Sequence, residues 1–138
     1  MTSLLSLYQQ ADFSEITVDC FTLDSREALS VMDDNGNCFI AIDPFKLKNH
    51  ADETAKLAHE MGHCITGSFY NKWATCDIRQ KHELRADKWA FRRLVPRDEL
   101  YSYYQHGITQ PWELAEIFEL PEELVRKAMA FYHEQEIK

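Results

Sequence analysis

His59 and His63 stand four residues apart in the stretch Ala58-His59-Glu60-Met61-Gly62-His63, with a carboxylate beside the first imidazole. On a helix, positions i and i+4 lie one above the other on a single face, about 6 Å apart. Two imidazoles so placed can reach one tetrahedral zinc ion without any movement of the backbone. Glu60 lies one position round from His59, too far to join as an easy ligand and close enough to touch a water held by the ion. That is the arrangement of metal-assisted hydrolysis: the metal lowers the pKa of water towards ~7, and the carboxylate takes its proton as the oxygen attacks a carbonyl.

A catalytic zinc site also needs a third protein ligand and an open fourth position. Downstream, Glu83 and Asp87 are again i and i+4, at the head of a stripe that continues through Ala90 and Leu94. Charges at the head of a core-facing stripe are costly to bury unless something positive meets them. A zinc ion with its imidazoles would meet that need. We therefore expect Glu83 as the third ligand, with Asp87 accepting a hydrogen bond from the distal nitrogen of a ligating histidine. The competing reading makes both of them surface ion-pair partners of Arg79, Lys81 or Lys88. His82 is beside Glu83 but points about 100° away on a helix. The oxyanion of a tetrahedral intermediate needs a donor, and Tyr70, His82, Tyr101 and His106 are all available for that role. His50 and His133 read as solvated surface residues.

These residues need two helices held side by side. Leu57, Met61 and Ile65 form an apolar stripe, with Asp52 as N-cap, so 53–66 reads as a helix closed by Gly67-Ser68. A loop with Tyr70, Asn71, Lys72 and Trp73 follows. A second helix is expected over 79–95, ended by Pro96, with Leu84, Ala86, Trp89, Ala90 and Leu94 as its apolar positions. Upstream, Asp33-Asp34-Asn35-Gly36-Asn37 separates the apolar runs Ala28–Met32 and Cys38–Ile42, a hairpin signature. Residues 16–23 are suited to a strand and 2–10 to a short helix. The chain beyond Pro96 reads as three more helices, 97–105, 111–118 and 121–134. The pair around Leu120-Pro121 invites a helix-turn-helix reading, but Glu122 and Glu123 at the second helix start suit a helix dipole better than a DNA groove.

His-Glu-x-x-His followed by Glu-x-x-x-Asp on the next helix is similar to the gluzincin arrangement of thermolysin-like peptidases. More narrowly, KLAHEMGH followed by ELRADKWAFRRLVP resembles the ImmA/IrrE family of small metallopeptidases. Glu83, Ala86, Asp87, Trp89, Ala90, Leu94 and Pro96 fall into that family's pattern, and Arg85 departs from its second Glu, which favours Glu83 as the ligand. The resemblance covers roughly residues 28–96. It implies one zinc per chain and a zincin-like α+β fold, with a small sheet and hairpin packed on the active-site helix. It also implies an edge strand beside that helix on which an extended substrate lies, for which Phe39-Ile40-Ala41-Ile42 is the candidate. The substrate so implied is a protein, a helix-turn-helix transcriptional repressor in a phage, mobile-element or stress-response switch. An alternative from another class is a zinc-binding regulatory or toxin–antitoxin protein that acts by association and cuts nothing.

The remaining features bound these readings. The 138 residues suit one domain, with a catalytic core over about 25–96 and a helical extension over about 97–138. A formal charge of -8 argues against a nucleic-acid binder working through a broad basic surface. There is no apolar run of the roughly 18–20 residues that a membrane span requires, and MTSLLSLYQQ lacks the basic start of a signal peptide. A cytosolic setting is expected. Cys20, Cys38, Cys64 and Cys76 are scattered, with no Cys-x-x-Cys pair, and so are expected as reduced thiols.

Overall fold

A computed structural model describes residues 3–71 and 73–137. Thr2 of the expected first helix and Lys72 of the expected loop lie outside them. Among the described residues the architecture is α+β: six helices and a three-stranded sheet. In chain order they are α1 (Ser3–Phe13), β1 (Thr17–Cys20), β2 (Ala28–Met32), β3 (Cys38–Ile42), α2 (His50–Thr66), α3 (Cys76–Leu94), α4 (Arg97–Gln105), α5 (Pro111–Phe118) and α6 (Glu122–Ile137).

The hairpin forms where Asn-Gly marked it. Gly36 takes a positive φ of 84°, which suits a residue without Cβ, and Asp33 Oδ1 accepts from the backbone N–H of both Asn35 and Asn37. β2 and β3 pair antiparallel, with Ser30 opposite Ile40, and β1 then adds to the other side of β3 in parallel. The strand order is β1-β3-β2, so β3 is central and has no free edge. This corrects the expectation that residues 39–42 receive a substrate strand: both sides of β3 are already paired. The edge strand against α2 is β2.

Two helix starts lie earlier than expected, for a local reason in each case. The side chain of Asn49, not Asp52, caps α2 by accepting from the Asp52 N–H at 2.8 Å, while Asp52 reaches back to the Lys48 N–H. Thr75 caps α3 through the Ile78 N–H. Leu57 and Met61 are fully buried against the sheet, but Ile65 is 41% exposed. Each four-residue step advances a helical stripe by about 40°, and by Ile65 the stripe has turned off the core. Leu84 is likewise exposed, on the side of α3 away from Ala86, Ala90 and Leu94.

Cys38 at the start of β3 and Cys64 on α2 form a disulfide, with Cα atoms 5.9 Å apart. The expectation of four reduced thiols is corrected for this pair; Cys20 and Cys76 are free and exposed. The reason is packing: α2 crosses the inner face of β3, and Cys64 points there because it lies about 100° round from His63. The helices after Pro96 are not an appendage. Leu100, Leu114, Val125 and Ala128 are fully buried in the same cluster as Leu7, Ile40 and Leu57. Tyr132 donates its hydroxyl to the Val95 carbonyl at 2.8 Å, tying α6 to the end of α3. No helix among the described residues is long and apolar enough to cross a membrane.

Candidate metal centre

α2 and α3 pack closely because the residues between them are small. Gly62 faces Ala86, and a Cβ on Gly62 would lie 2.5 Å from the Ala86 carbonyl oxygen. This approach brings Glu83, one turn before Ala86, onto the face of α2 that carries His59 and His63. Glu83 Oε1 lies 3.0 Å from His59 Nε2, Glu83 Oε2 lies 3.0 Å from His63 Nε2, and the two Nε2 atoms are 3.2 Å apart.

Those separations test whether the three donors fit an ion. Ligand atoms at tetrahedral corners about 2.0–2.1 Å from a metal lie about 3.3 Å from one another. The donors already stand close to three corners of such a tetrahedron, and they form the group of potential metal ligands found among the described residues. Their outer nitrogens are committed elsewhere. His59 Nδ1 donates to Asp87 Oδ1 at 2.8 Å, and His63 Nδ1 donates to the Ser68 carbonyl at 2.5 Å. Each bond turns the ring so that Nε2 aims at the common point. Gly67 makes the second bond available. In the left-handed conformation, φ 67°, it ends α2 and turns the chain so that Ser68 comes back over His63.

Without an ion the same carboxylates hold a proton. Burial pulls the pKa of His59 down, but the Asp87 hydrogen bond, the charges of Glu60 and Asp87 and the Glu83 hydrogen bond outweigh it and push it up to about 9. The focus of the site is thus a place where positive charge is stabilised, as a cation-binding site requires.

The other expected residues divide. Glu60 Oε1 accepts from Ser30 Oγ of β2 at 2.7 Å, which holds its carboxylate beside the donor triangle. Tyr70 comes to the site and donates to Glu83 Oε2 at 3.3 Å; burial first, then the Glu83 charge, raises its phenol pKa. His82 stacks on Tyr70 with centroids 6.1 Å apart, and its buried Nδ1 has no partner among the described residues. Tyr101 and His106 are elsewhere. Tyr101 bonds Glu136 and stacks on Tyr104, while His106 bonds the Ser102 carbonyl at the end of α4. Neither is placed to stabilise an oxyanion.

Three contributors escaped the sequence reading. Ser30 had a faint signal, a polar residue on the inward face of a strand that alternates Ala28, Ser30, Met32. Gly62 had one as well, as the small residue inside the histidine motif opposite Ala86. The Ser68 carbonyl had none, because a backbone acceptor carries no side-chain identity.

No family model matches the chain, and no curated protein matches it either.

Proposed function

We propose that the chain is a zinc-dependent endopeptidase acting on a protein substrate. The observation that carries this reading is Glu60. It is a carboxylate held by Ser30 beside a triangle of two imidazoles and one carboxylate, at the meeting point of two open clefts. A purely structural site would need four protein ligands and no neighbouring base.

His59, His63 and Glu83 would hold the ion through the two Nε2 atoms and a carboxylate oxygen. When bound, zinc supplies Lewis acidity, which lowers the pKa of water and polarises a carbonyl. Glu60, with one oxygen steadied by Ser30, takes the proton of the attacking water through the other and passes it to the leaving amine. Tyr70 donates to the oxyanion, giving up its long bond to Glu83. Asp87 accepts from His59 Nδ1–H, which keeps the ring in position and leaves Nε2 free to hold the ion. An extended substrate lies along β2, which pairs with β3 on one side only.

On this reading the fold is zincin-like, as the ImmA/IrrE resemblance implies, and the substrate is a helix-turn-helix transcriptional repressor. A cytosolic setting belongs with it. The Cys38–Cys64 disulfide pulls the other way, since cytosolic thiols are kept reduced.

The test is to measure bound zinc in the wild type and in Glu60→Gln, then incubate each with candidate repressors encoded nearby. Both should hold about one zinc, and the substitution should slow cleavage by roughly 10²–10⁴. Wild type that holds no zinc would end the reading. Zinc without cleavage of any partner would favour a regulatory protein that acts by association.

A further inference from the structure

Two clefts meet at the centre. The larger, about 550 Å³, extends from His59 between the start of α2, Phe91 of α3 and Leu124 of α6. The smaller, about 190 Å³, extends past His63 to Phe69 and Tyr70. Among the described residues, two side chains line both: Glu60 and Arg26. A polypeptide that presents a carbonyl to Glu60 therefore has its flanking residues in the two clefts and passes Arg26 on the way.

The charges around the larger cleft are nearly all engaged. Lys56 Nζ pairs with Glu27 at 2.8 Å, and Lys127 Nζ pairs with Glu123 at 3.2 Å. Glu60 is held by Ser30 and Asp87 by His59. Arg26 is the exception: its guanidinium has no hydrogen-bond or ion-pair partner among the described residues, and its charge reaches Tyr70. A guanidinium presents five donors in a planar fork that matches a carboxylate in a bidentate pair. An ammonium or amide ligand would leave that fork unmatched.

We propose that Arg26 sets substrate specificity by binding a carboxylate of the cleaved polypeptide next to the scissile bond. This rests on the proteolytic reading above. The carboxylate can belong to an Asp or Glu side chain or to a chain terminus. The clefts continue on both sides of Arg26, so a chain passes it rather than ending there, and the side chain is the source.

The test uses zinc-loaded protein and peptides that differ only at the residue beside the cleaved bond, as Glu, Gln or Lys, with both ends blocked. A matched set carries a free C-terminus. The wild type should favour Glu over Gln by about 2- to 5-fold in kcat/KM, the worth of an ion pair to an exposed guanidinium. In Arg26→Ala that ratio should fall to about one, and in Arg26→Glu the Lys peptide should become the better substrate. A merely structural role for Arg26 would slow all three peptides together and leave the ratio intact, which would overturn the proposal. So would a wild type indifferent to Glu. Cleavage confined to free C-termini would overturn the side-chain source. Binding of the same peptides to zinc-loaded Glu60→Gln, read by fluorescence anisotropy, separates the two readings. If no peptide is cut, a Glu preference in binding that Arg26→Ala abolishes still supports the Arg26 site, and its absence sinks it.

Discussion

Gly62 decides whether the three candidate donors meet. Replacing a helix-interior glycine by alanine ordinarily stabilises by up to ~1 kcal/mol, because the unfolded chain loses freedom. Here the new methyl would stand 2.5 Å from the Ala86 carbonyl, a backbone atom that cannot swing aside. The sign is therefore reversed. Gly62→Ala should destabilise the metal-free protein by about 1–3 kcal/mol, the usual cost of overpacking, as measured by urea unfolding. Because α3 must shift to relieve the clash and Glu83 moves with it, zinc affinity in a chelator competition should fall as well. Unchanged stability and affinity would mean that the two helices are not held in this contact. That His59 and His63 share one helical face was legible at this scale, because the i, i+4 spacing sets it. Gly62 was harder to read, since its role depends on what faces it.

At the scale of elements, the connection from β1 to β2 must be held against the β3–α2 turn if Arg26 and Glu27 are to reach the site. Asp43 does this. It is 1% exposed, and its carboxylate accepts from the N–H groups of Leu23, at 2.9 Å, and Phe45, at 3.1 Å, with Lys46 close by. The Leu23 bond first, then those to Phe45 and Lys46, hold its pKa below the ordinary carboxylate value despite the cost of burial. A pKa depressed in the folded state contributes stability above the unfolded value, near 4, and loses it as the pH falls through the folded value. Asp43→Asn should thus lower the urea midpoint at neutral pH, and the gap to wild type should close progressively below about pH 4. A gap independent of pH would assign the effect to packing alone. Helix boundaries at this scale followed caps within a few residues of the expected starts. The strand order did not follow, because nothing local distinguishes a central from an edge strand of five residues.

For the whole molecule, the proposed metal would link packing to function. The donors come from α2 and α3, which pack on the sheet and on α6, so an ion bound there stabilises the entire fold and not a loop. At zinc 100-fold above its Kd, mass action contributes about 2.7 kcal/mol, and Tm should rise by roughly 8–10 °C for a chain of this size. A chelator should reverse the rise, and Glu83→Ala should abolish it. Equal Tm values with and without zinc would contradict binding at this site. The helices after Pro96 share that core: Leu100, Leu114 and Val125 are fully buried in it, and Leu124 walls the larger cleft.

The amino-acid sequence by itself determined the residues with ligand chemistry, the two helices that carry them, the hairpin and the α+β class. Each follows from short-range periodicity, caps and turn residues that act within a few positions. Tertiary structure decided the rest. It made β3 central and β2 the edge, joined Cys38 to Cys64 across 26 residues, drew Ser30 to Glu60, and set Tyr70 beside Glu83 while Tyr101 and His106 went elsewhere. All of these are contacts between elements, set by which faces bury against each other, and that choice is made by the chain as a whole.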